Sequence, residues 1–500
     1  MKPPINIVWL KRDLRLTDHK PLQLAVQANL PILLLYCFEP VLMQYGDSDP
    51  RHWRFVYQCL QQMKQQLSCN NATLEIVLED APKAFEIIAS NFHIQHIFSH
   101  EEIGNKPSYD RDKAIKLFCK QQQITWIEIP TNGITRGLQT RKDFSKHWHS
   151  VMLAPVIEID LSSVKTISIH GLLPGIESNQ QLRQIVTQSN TIFQPGGEIN
   201  AQAYLQSFLY QRKANYNRHI SKPMESRKSC SRISPYLTWG NVSMKQVYQA
   251  ALQAITETGD KRNINFYINR LHWHCHFIQK FESECRMEFE NLNKGFNHIR
   301  TAENTTLTVA WKTGTTGYPL VDACMKCVIA TGYLNFRMRS MLVSFLTHHL
   351  WQPWQVGAHH LAKQFLDYEP GIHYPQFQMQ AGTMGVNTIR MYNPIKQSKD
   401  HDPQGFFIKK WLPVLQQVPE QFIHEPWTMT EIEQQLYQCT IGEHYPLPIV
   451  DLQISGLHAR DILWSVKKSK AVQENNKGIL KKHTRRKTEK ELPINAPTLF

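Results

Sequence analysis

Residues 311–351 read WKTGTTGYPLVDACMKCVIATGYLNFRMRSMLVSFLTHHLW, and residues 366–378 follow as LDYEPGIHYPQFQ. Apolar helix-forming residues dominate both segments, but Arg339, Asp367 and Glu369 lie among them. Charged side chains in apolar surroundings are usually paired with one another or face a ligand. The two segments therefore predict a helical core that contains either a structural ion-pair network or a bound molecule.

The first part of the chain, residues 1–135, has a different pattern in which strand-like and helix-like segments alternate. We predict strands at 5–8, 32–38, 73–77, 96–99 and 125–129, and helices at 53–67, 81–91 and 109–122. Such alternation favours an α/β domain, a parallel sheet with helices on both faces. No GxGxxG follows the first strand, so an ordinary dinucleotide-binding fold is not supported.

Beyond this region the chain becomes rich in helical periodicity. Residues 136–200 are interpreted as an interdomain linker, because prolines and glycines interrupt any periodic pattern. Residues 201–465 predict an all-α domain. The predicted helices in it are 201–217, 243–258, 263–281, 321–330, 335–350 and 357–366. Residues 466–500 are strongly basic, and we expect a disordered tail there.

The charge and cysteine content narrow the classes of function. The 500-residue chain has a net charge of +14, which favours a polyanionic partner, nucleic acid before an anionic membrane. No run of 18 apolar residues occurs, so we expect no transmembrane helix. The ten cysteines are irregularly spaced and no signal peptide is recognised, which predicts reduced thiols and a cytoplasmic location. We also expect a monomer, and no metal site at the CxxC spacing of Cys324 and Cys327.

Two further motifs have modest meaning when each is taken alone. The stretch IVWLKRDLRLTDHKPL at 7–22 is typical of a first strand followed by a charged loop and a helix start. The stretch CSRISPYLTWGNVS at 230–243 places Ser231 and Ser234 before a proline and a helix start. Such hydroxyls either cap the helix or donate hydrogen bonds to phosphate oxygens.

Together these stretches resemble the photolyase/cryptochrome flavoprotein family over residues 5–465. WLKRDLRLTDH resembles the opening signature of that family, CSRISPYL its flavin-phosphate motif, and TGYPLVDA at 316–323 and residues 393–415 its flavin domain. The resemblance implies an α/β antenna domain followed by an all-α FAD-binding domain. It implies FAD as the cofactor and damaged DNA as the partner.

The resemblance also assigns cofactor-binding residues. It implies that Arg339 and Asp367 form an ion pair beside the flavin ring, with Glu369 where Asp is usual and Cys230 where Thr is common. His373 stands where the family usually has Asn, facing the reactive nitrogen of the flavin. It either titrates near neutral pH and gates flavin protonation, or is a hydrogen-bonded pocket histidine. The complete cofactor-binding set is Tyr216, Cys230, Ser231, Arg232, Ile233, Ser234, Arg339, Asp367, Glu369 and His373.

The positions that would contact DNA depart from the family pattern. Trp273 matches an aromatic residue of the lesion pocket, but Arg270 replaces a Glu that hydrogen-bonds the lesion, and Arg has no acceptor. Phe336 replaces an Asn and Met379 a Trp. The catalytic set implied by the resemblance is Trp273, Arg339, Asp367, His373 and Trp354.

The residues that would photoreduce the flavin are altered too. Phe377 replaces the flavin-proximal tryptophan of the electron-transfer chain, and Trp354 keeps the middle position. No Trp occurs near residues 296–301 for the outer position; Trp351, Tyr374 and Trp273 are possible substitutes. We therefore predict slow or rerouted photoreduction.

A second, antenna chromophore is possible, and its identity is open. Residues 109–112, Tyr-Asp-Arg-Asp, resemble a segment that contacts a folate antenna. Three functions are compatible with the sequence. The first is light-driven repair of pyrimidine dimers in DNA by electron transfer from photoexcited reduced FAD, the activity of a deoxyribodipyrimidine photo-lyase. The second is a cryptochrome-type blue-light receptor with little or no repair activity. The third is a DNA-binding flavoprotein without photochemistry.

Overall fold

A computed structural model of the chain describes residues 2–188 and 190–483. Its N-terminal domain contains one five-stranded sheet with the strand order β3-β2-β1-β4-β5, and all neighbouring strands pair in parallel. The strands are β1 Pro4–Leu10, β2 Ile32–Phe38, β3 Glu75–Leu78, β4 His93–His100 and β5 Thr125–Ile129. The predicted parallel sheet is confirmed.

Alternation of side chains along the central strands explains why helices cover both faces. In β1, Ile7 and Trp9 pack into one apolar core, whereas Val8 and Leu10 pack into another on the opposite face. The helices of this region are α1 Lys20–Gln27, α2 Pro40–Met43, α3 Pro50–Ser68, α4 Ala81–Asn91, α5 Lys106–Gln121 and α6 Phe144–Leu153.

The segment interpreted as a linker, 136–200, packs closely on the sheet domain. It contains α6 and α7 Gln180–Thr187, and Trp148 in α6 is fully buried. The backbone N–H of Ile32 donates to Lys165 O over 2.9 Å, and that of Leu78 donates to Pro174 O over 2.7 Å. Its prolines therefore belong to an ordered connection along the sheet.

The second half is helical, as predicted. Its helices are α8 Glu198–Tyr210, α9 Tyr216–His219, α10 Ser226–Ser229, α11 Ser234–Thr238, α12 Met244–Thr258, α13 Lys261–Ser283, α14 Thr305–Thr313, α15 Pro319–Thr331, α16 Phe336–Ser344, α17 Trp354–Gln364, α18 Pro370–Gln380, α19 Pro394–His401, α20 Phe406–Trp411, α21 Glu431–Leu436, α22 Leu452–Lys468 and α23 Lys470–His483. A π-helical turn, Phe345–His349, extends α16. No helix in the described parts of the chain has the length and hydropathy needed to cross a membrane.

The prediction of a disordered tail from residue 466 is wrong for residues 466–483, which belong to α22 and α23. Val472 and Ile479, seven residues apart on α23, are buried among the basic residues. A Cβ on Gly295 would lie 2.5 Å from Val472 Cγ2, so this glycine permits the close approach of α23. The high charge of this segment led to the prediction of disorder, although a narrow apolar stripe indicates a helix. The rest of the predicted tail, residues 484–500, lies outside the described residues.

Candidate functional site

The charged residues that interrupt the helical core include a buried ion pair. Arg339 Nη2 lies 3.0 Å from Asp367 Oδ1 and 2.9 Å from Oδ2, and Arg339 Nε donates to Leu334 O over 2.7 Å. Burial opposes ionisation of Asp367, but the Arg339 guanidinium holds the pKa of this carboxyl below its usual range. The carboxylate therefore fixes the orientation of the arginine in the core.

A second element of the site is the backbone of residues 230–234, which precedes α11. The Arg212 guanidinium donates to Cys230 O and, over 3.1 Å, to Ser231 O, and so fixes this backbone. Arg232 has a positive φ of 60°. Its guanidinium carbon lies 3.7 Å from the ring centroid of Tyr333. The segment is thus held by contacts outside itself, as expected of a preorganised loop.

Positive charge converges on Cys230. Burial raises the pKa of the Cys230 thiol to about 12, while the charges of Arg232, Arg212 and Arg270 oppose that shift. Three cations around one loop at a helix start form a suitable environment for phosphate oxygens. Arg270 also acts on the buried Tyr216 hydroxyl and lies 5.0 Å from the Phe266 ring. Arg270 therefore contributes to this cationic environment.

Several buried polar atoms around these two elements have no hydrogen-bond partner in the described parts of the chain. They are Arg232 Nε, Tyr267 Oη, His274 Nδ1 and Asn335 Oδ1. Buried polar groups are normally satisfied, so a set of orphans in one region indicates a missing ligand. Electrostatic interactions link this set to the ion pair, because the charge of Asp367 acts on both Arg232 and His274. The loop and the ion pair thus border one polar cradle.

His373 belongs to the same region. Its Nε2 lies 2.8 Å from Ala358 O, to which it donates, and its ring centroid lies 4.7 Å from that of Phe377. Burial lowers the pKa of His373 to about 3, so the imidazole is neutral at physiological pH. Of the two alternatives from the sequence, this geometry favours a hydrogen-bonded neutral histidine over a residue that titrates near pH 7.

Glu369, by contrast, faces the N-terminal domain. Its Oε2 lies 3.5 Å from Arg12 Nη1, and Arg12 Nη1 also donates to Tyr368 O over 3.1 Å. Burial raises the pKa of Glu369 to about 7, although Arg12 opposes the shift. Glu369 lines an interdomain cavity of about 240 Å³ with Arg12 and His100. Glu369 therefore pairs with Arg12 of the N-terminal domain, whereas Asp367 pairs with Arg339. The sequence could not show this difference in partners.

Two residues predicted for the lesion pocket are exposed aromatic side chains. Trp273 on α13 is 47% exposed, and Phe336 at the start of α16 is 37% exposed. Met379 is partly buried against the helical core. Exposed aromatic rings on a basic protein suit stacking with unpaired bases.

The aromatic residues near His373 form a continuous series that the sequence suggested only in part. Trp354 is buried and its Nε1 donates to Asn291 Oδ1 over 2.8 Å. Tyr374 lies 6.5 Å from Trp354 and 5.5 Å from His373 between ring centroids. Tyr374 Oη is also 3.4 Å from Tyr368 Oη. Tyr374 is therefore positioned between Trp354 and the cradle.

Trp351 lies elsewhere. Its ring centroid is 5.0 Å from that of His458 on α22. The buried Arg300 guanidinium lies 5.3 Å from the centroid of the Trp351 ring. Arg300 lies in residues 296–301, the segment that corresponds to the outer tryptophan of the family's electron-transfer chain.

The segment that resembles a folate contact supplies a buried ion-pair cluster. Arg111 on α5 lies 2.7 Å from each of Glu39, Glu102 and Asp112. Glu39 directly follows β2 and Glu102 lies just beyond β4, whereas Asp112 is the next residue on α5. Tyr109 is exposed. A cavity of about 50 Å³ adjoins the cluster. Ligand pockets usually enclose about 300 Å³ or more, so a second chromophore at this edge would require side-chain movement.

A buried group that sequence reasoning missed lies beside it, formed by Asp13, His19 and His100. His19 Nδ1 accepts the Leu22 N–H over 3.1 Å, so its proton is on Nε2 and is donated to Asp13 Oδ2 over 3.0 Å. His100 Nδ1 lies 2.7 Å from the same oxygen. Three such side chains can hold a metal ion, but His19 in this tautomer offers no lone pair. The group therefore holds β1, β4 and α1 together.

The fold and this cradle define a two-domain protein with a parallel α/β domain and a helical cofactor-binding domain. Residues 267–465 match the FAD binding domain of DNA photolyase, and residues 6–147 match the DNA photolyase domain. The chain belongs to the photolyase/cryptochrome family. This confirms the resemblance stated from the motifs.

Relatives within that family have both kinds of name. The chain is 29% identical over 470 residues to a deoxyribodipyrimidine photo-lyase of Alkalihalophilus pseudofirmus, covering 89% of this chain and 95% of the relative. It is 27% identical to a cryptochrome DASH of Synechocystis, covering 91% and 96%. The solved structure of a Synechocystis cryptochrome superposes with a TM-score of 0.83 at 25% identity, covering 92% of this chain and 99% of that one.

FAD is the cofactor that the helical domain binds, and the cradle fits it. The cations around Cys230 suit the pyrophosphate, and the orphaned donors and acceptors suit the polar groups of the nucleotide. Asp367 holds the Arg339 guanidinium in a fixed orientation in the core. Most of the hard chemistry of a flavin belongs to the cofactor, while the protein binds and orients it.

Proposed function

We propose that the chain is a DNA photolyase, a carbon–carbon lyase that uses light to split UV-induced pyrimidine dimers in DNA. The observation that carries the proposal is the exposed Trp273 on α13, the helix that also supplies two of the orphaned polar atoms of the cradle, Tyr267 Oη and His274 Nδ1. One helix thus connects a stacking surface for bases with the cofactor site. Photo-lyase relatives that are 24–29% identical to the chain support this proposal.

The chemistry divides between FAD and the protein. Bound reduced FAD supplies a photoexcited one-electron donor. Arg339 would stabilise negative charge on the ring electrostatically, and Asp367 keeps that arginine oriented. His373 is neutral and held by Ala358 O, so it places a fixed, uncharged ring in the pocket. Splitting the dimer in this way would cause no net redox change.

Damaged DNA is the proposed partner. The net charge of +14 attracts the phosphate backbone. The damaged bases would be flipped out of the stack, a step known for photolyases as a class, and Trp273 would stack against them. Arg270 cannot accept a hydrogen bond from a base. Its charge acts on Tyr216 and Cys230 of the proposed flavin-phosphate site, so we infer that Arg270 contacts the phosphates of FAD.

The test is repair of two oligonucleotides, one with a cyclobutane dimer and one with a (6-4) photoproduct. The protein is reduced chemically beforehand, which bypasses the altered electron-transfer chain, and repair is measured with and without blue light. Light-dependent repair of either lesion is the expected result. Trp273→Ala should lower repair and damaged-DNA affinity, whereas Trp464→Ala, a similarly exposed tryptophan on α22, should change neither.

A blue-light receptor is the second candidate, and the altered lesion pocket favours it. Arg270, Phe336 and Met379 replace the residues expected of a repair enzyme, and several relatives are named cryptochrome DASH. Absence of repair of both lesions by FAD-loaded, reduced protein would reject the photolyase proposal. Light-dependent change in binding to another macromolecule would then support the receptor.

We further propose a monomer in the cytoplasm, in which all ten cysteines stay reduced. The structure has ten unpaired cysteines, most of them buried, which is typical of a reducing compartment. A second chromophore, if bound, would occupy the edge of the sheet near Arg111 and Arg12. Absorbance of protein-bound pigment after FAD removal would identify it.

A further inference from the structure

We propose that Arg141, His276, Lys280 and His483 form a binding site for a phosphate group, separate from the FAD cradle. Arg141 precedes α6, His276 and Lys280 are one turn apart on α13, and His483 ends α23. The Phe144 ring brings two of them together, because its centroid lies 5.1 Å from the Arg141 guanidinium and 6.4 Å from the His276 ring centroid. The charges of Arg141 and Lys280 act on both His276 and His483, so three distant parts of the chain meet at one place. The site does not depend on the proposed repair function.

Arg141 is the central observation. It is 3% exposed, and its Nη1 and Nη2 atoms have no hydrogen-bond partner among the described residues. Its guanidinium lies 5.1 Å from the centroid of the Phe144 ring, so one face is covered by an aromatic group. Arginine does not lose its charge in a protein, so burial with an unsatisfied fork is unfavourable unless an anion is bound.

The neighbours of Arg141 add to the positive potential. Lys280 is 8% exposed, and no described carboxylate lies within ion-pair distance of it. Its pKa is lowered to about 8 by burial and by the charge of Arg141. His483 is buried, and neither ring nitrogen has a hydrogen-bond partner in the described part of the chain. The pKa of His276 is lowered by burial and then by Lys280 and Arg141.

The two acidic residues near Arg141 and Lys280, Glu282 and Glu284, already have other hydrogen-bond or ion-pair partners. Glu282 accepts the Gly137 N–H over 2.8 Å and Gln279 Nε2 over 3.1 Å. Glu284 pairs with Arg286 and Lys482, each at 3.0 Å, and lies 3.9 Å from His483 Nε2, which is too long for a hydrogen bond. The charge of Glu282 acts on Arg141, but no carboxylate of the described residues forms an ion pair with Arg141 or Lys280, and the Arg141 fork has no hydrogen-bond partner there.

The chemistry of these donors selects the ligand. Two free guanidinium N–H groups on one fork match the oxygens of a phosphate or carboxylate bidentately, and an adjacent ammonium adds a point charge. Two histidines can contribute further donors when an anion is present. A group with several oxygens and up to two negative charges satisfies this set better than a single carboxylate. A phosphate group is therefore the inferred ligand.

The position of the site suggests two sources of phosphate. The His276 ring centroid lies 5.5 Å from that of Trp273, the exposed aromatic residue on the same helix. A phosphodiester of DNA bound across Trp273 could reach the site, and so could free phosphate or a phosphomonoester. Both sources share the same chemistry, and binding experiments separate them.

The experiment uses the full-length, FAD-loaded protein in a phosphate-free buffer, with inorganic phosphate as the probe. Calorimetric titration should show one site in the wild type. Arg141→Met should weaken phosphate binding about tenfold or more, since a buried charge partner is lost. Lys142→Met, at the exposed neighbouring lysine, is the matched control and should bind like the wild type. Lys280→Met is a second variant that should also bind more weakly.

Thermal unfolding separates binding from a structural role. In phosphate-free buffer, Arg141→Met should be at least as stable as the wild type, because it removes an unpaired buried charge. Added phosphate should stabilise the wild type and not the variant. A wild type that responds to phosphate no more than to chloride of equal ionic strength would overturn the proposal. So would equal loss of binding in Arg141→Met and Lys142→Met.

Affinity for an undamaged duplex identifies the source. If the site binds a DNA phosphodiester, Arg141→Met should lower this affinity and reduce the salt dependence by about one phosphate, and inorganic phosphate should compete. If the site binds free phosphate, DNA affinity should be the same in the variant and the wild type, while phosphate binding is lost. Both results support the phosphate site, and neither depends on repair activity.

Discussion

Replacing Asp367 by Asn should destabilise the helical domain and weaken FAD retention. Asn has nearly the same shape as Asp, but it removes the negative charge that faces Arg339 Nη2 at 2.9–3.0 Å. The arginine would keep its charge in a largely apolar region, with its guanidinium 3.9 Å from the Phe365 ring centroid. The perturbation therefore isolates the charge of Asp367 from its volume.

The expected magnitude follows from burial. Removing one partner of a buried ion pair typically costs 3–5 kcal/mol. The side chain of Asp367 is 6% exposed and that of Arg339 is 25% exposed. Because water partly screens the arginine, we expect the lower end, about 3 kcal/mol. For a helical domain of this size, that corresponds to a decrease in Tm of roughly 6 °C.

The pH dependence has a defined sign. The folded pKa of Asp367 is lowered, so its contribution to stability is present above the unfolded pKa of about 3.9 and is lost as pH falls through the folded value. The difference in Tm between wild type and variant should therefore be constant from pH 5 to 8. It should narrow only below about pH 4.

The assay is thermal unfolding followed by flavin fluorescence and by circular dichroism, with FAD content measured after gel filtration. Asp461→Asn is the matched control, because Asp461 forms an exposed pair with Arg460. It should unfold like the wild type. If Asp367→Asn also unfolds at the wild-type temperature and retains all its FAD, the ion pair does not hold the site.

Three further predictions follow from neighbouring residues. The folded pKa of His373 is about 3, whereas the unfolded side chain has a pKa near 6.5, so only the unfolded state is protonated between these values. The stability of the wild type should therefore increase as the pH rises from about 3 to 6.5. In His373→Asn this increase should be smaller, as measured by the unfolding midpoint at each pH. The folded pKa of Glu369 is raised to about 7, so its contribution to the stability of the wild type should fall as the pH rises from about 4.5 to 7. Glu369→Gln should therefore be more stable relative to the wild type at pH 8 than at pH 5; the same difference at both pH values would contradict this. Tyr374→Phe and Trp354→Phe should each slow photoreduction of bound FAD under blue light, since Phe377 is too hard to oxidise; full-speed photoreduction in the double variant would exclude both residues.

The sequence predicted those features that depend on local pattern. Apolar runs of four residues, 7–10, and seven residues, 32–38, indicated the central strands β1 and β2, and their alternation with helical segments indicated the parallel sheet. The charges in apolar surroundings indicated either an ion-pair network or a ligand site, and the family resemblance implied the Arg339–Asp367 pair, which the structure contains. The α23 helix was missed because only Val472 and Ile479 mark its buried face among many lysines.

Features that depend on long-range contacts could not be predicted. Glu369 is two residues from Asp367, yet the two carboxylates face different partners. In the sequence Arg12 belongs to a charged loop after β1, 357 residues before Glu369. His19 lies at the end of the charged loop before α1, yet it is fully buried against Asp13. No local period encodes such pairings. The Arg12–Glu369 contact forms only when the two domains pack, and the His19–Asp13 contact only when the loop after β1 folds.

The contact between Arg12 and residues 368–369 gives the N-terminal signature a structural role. Arg12 donates to Tyr368 O, pairs with Glu369 and lies 4.6 Å from the Trp239 ring centroid. Trp239 directly follows α11, and residues 230–233 directly precede this helix. Tyr368 directly follows Asp367. One arginine of the α/β domain therefore contacts residues close in sequence to both segments of the proposed flavin cradle. The signature and the flavin motifs are far apart in the sequence, but the fold joins them at this guanidinium.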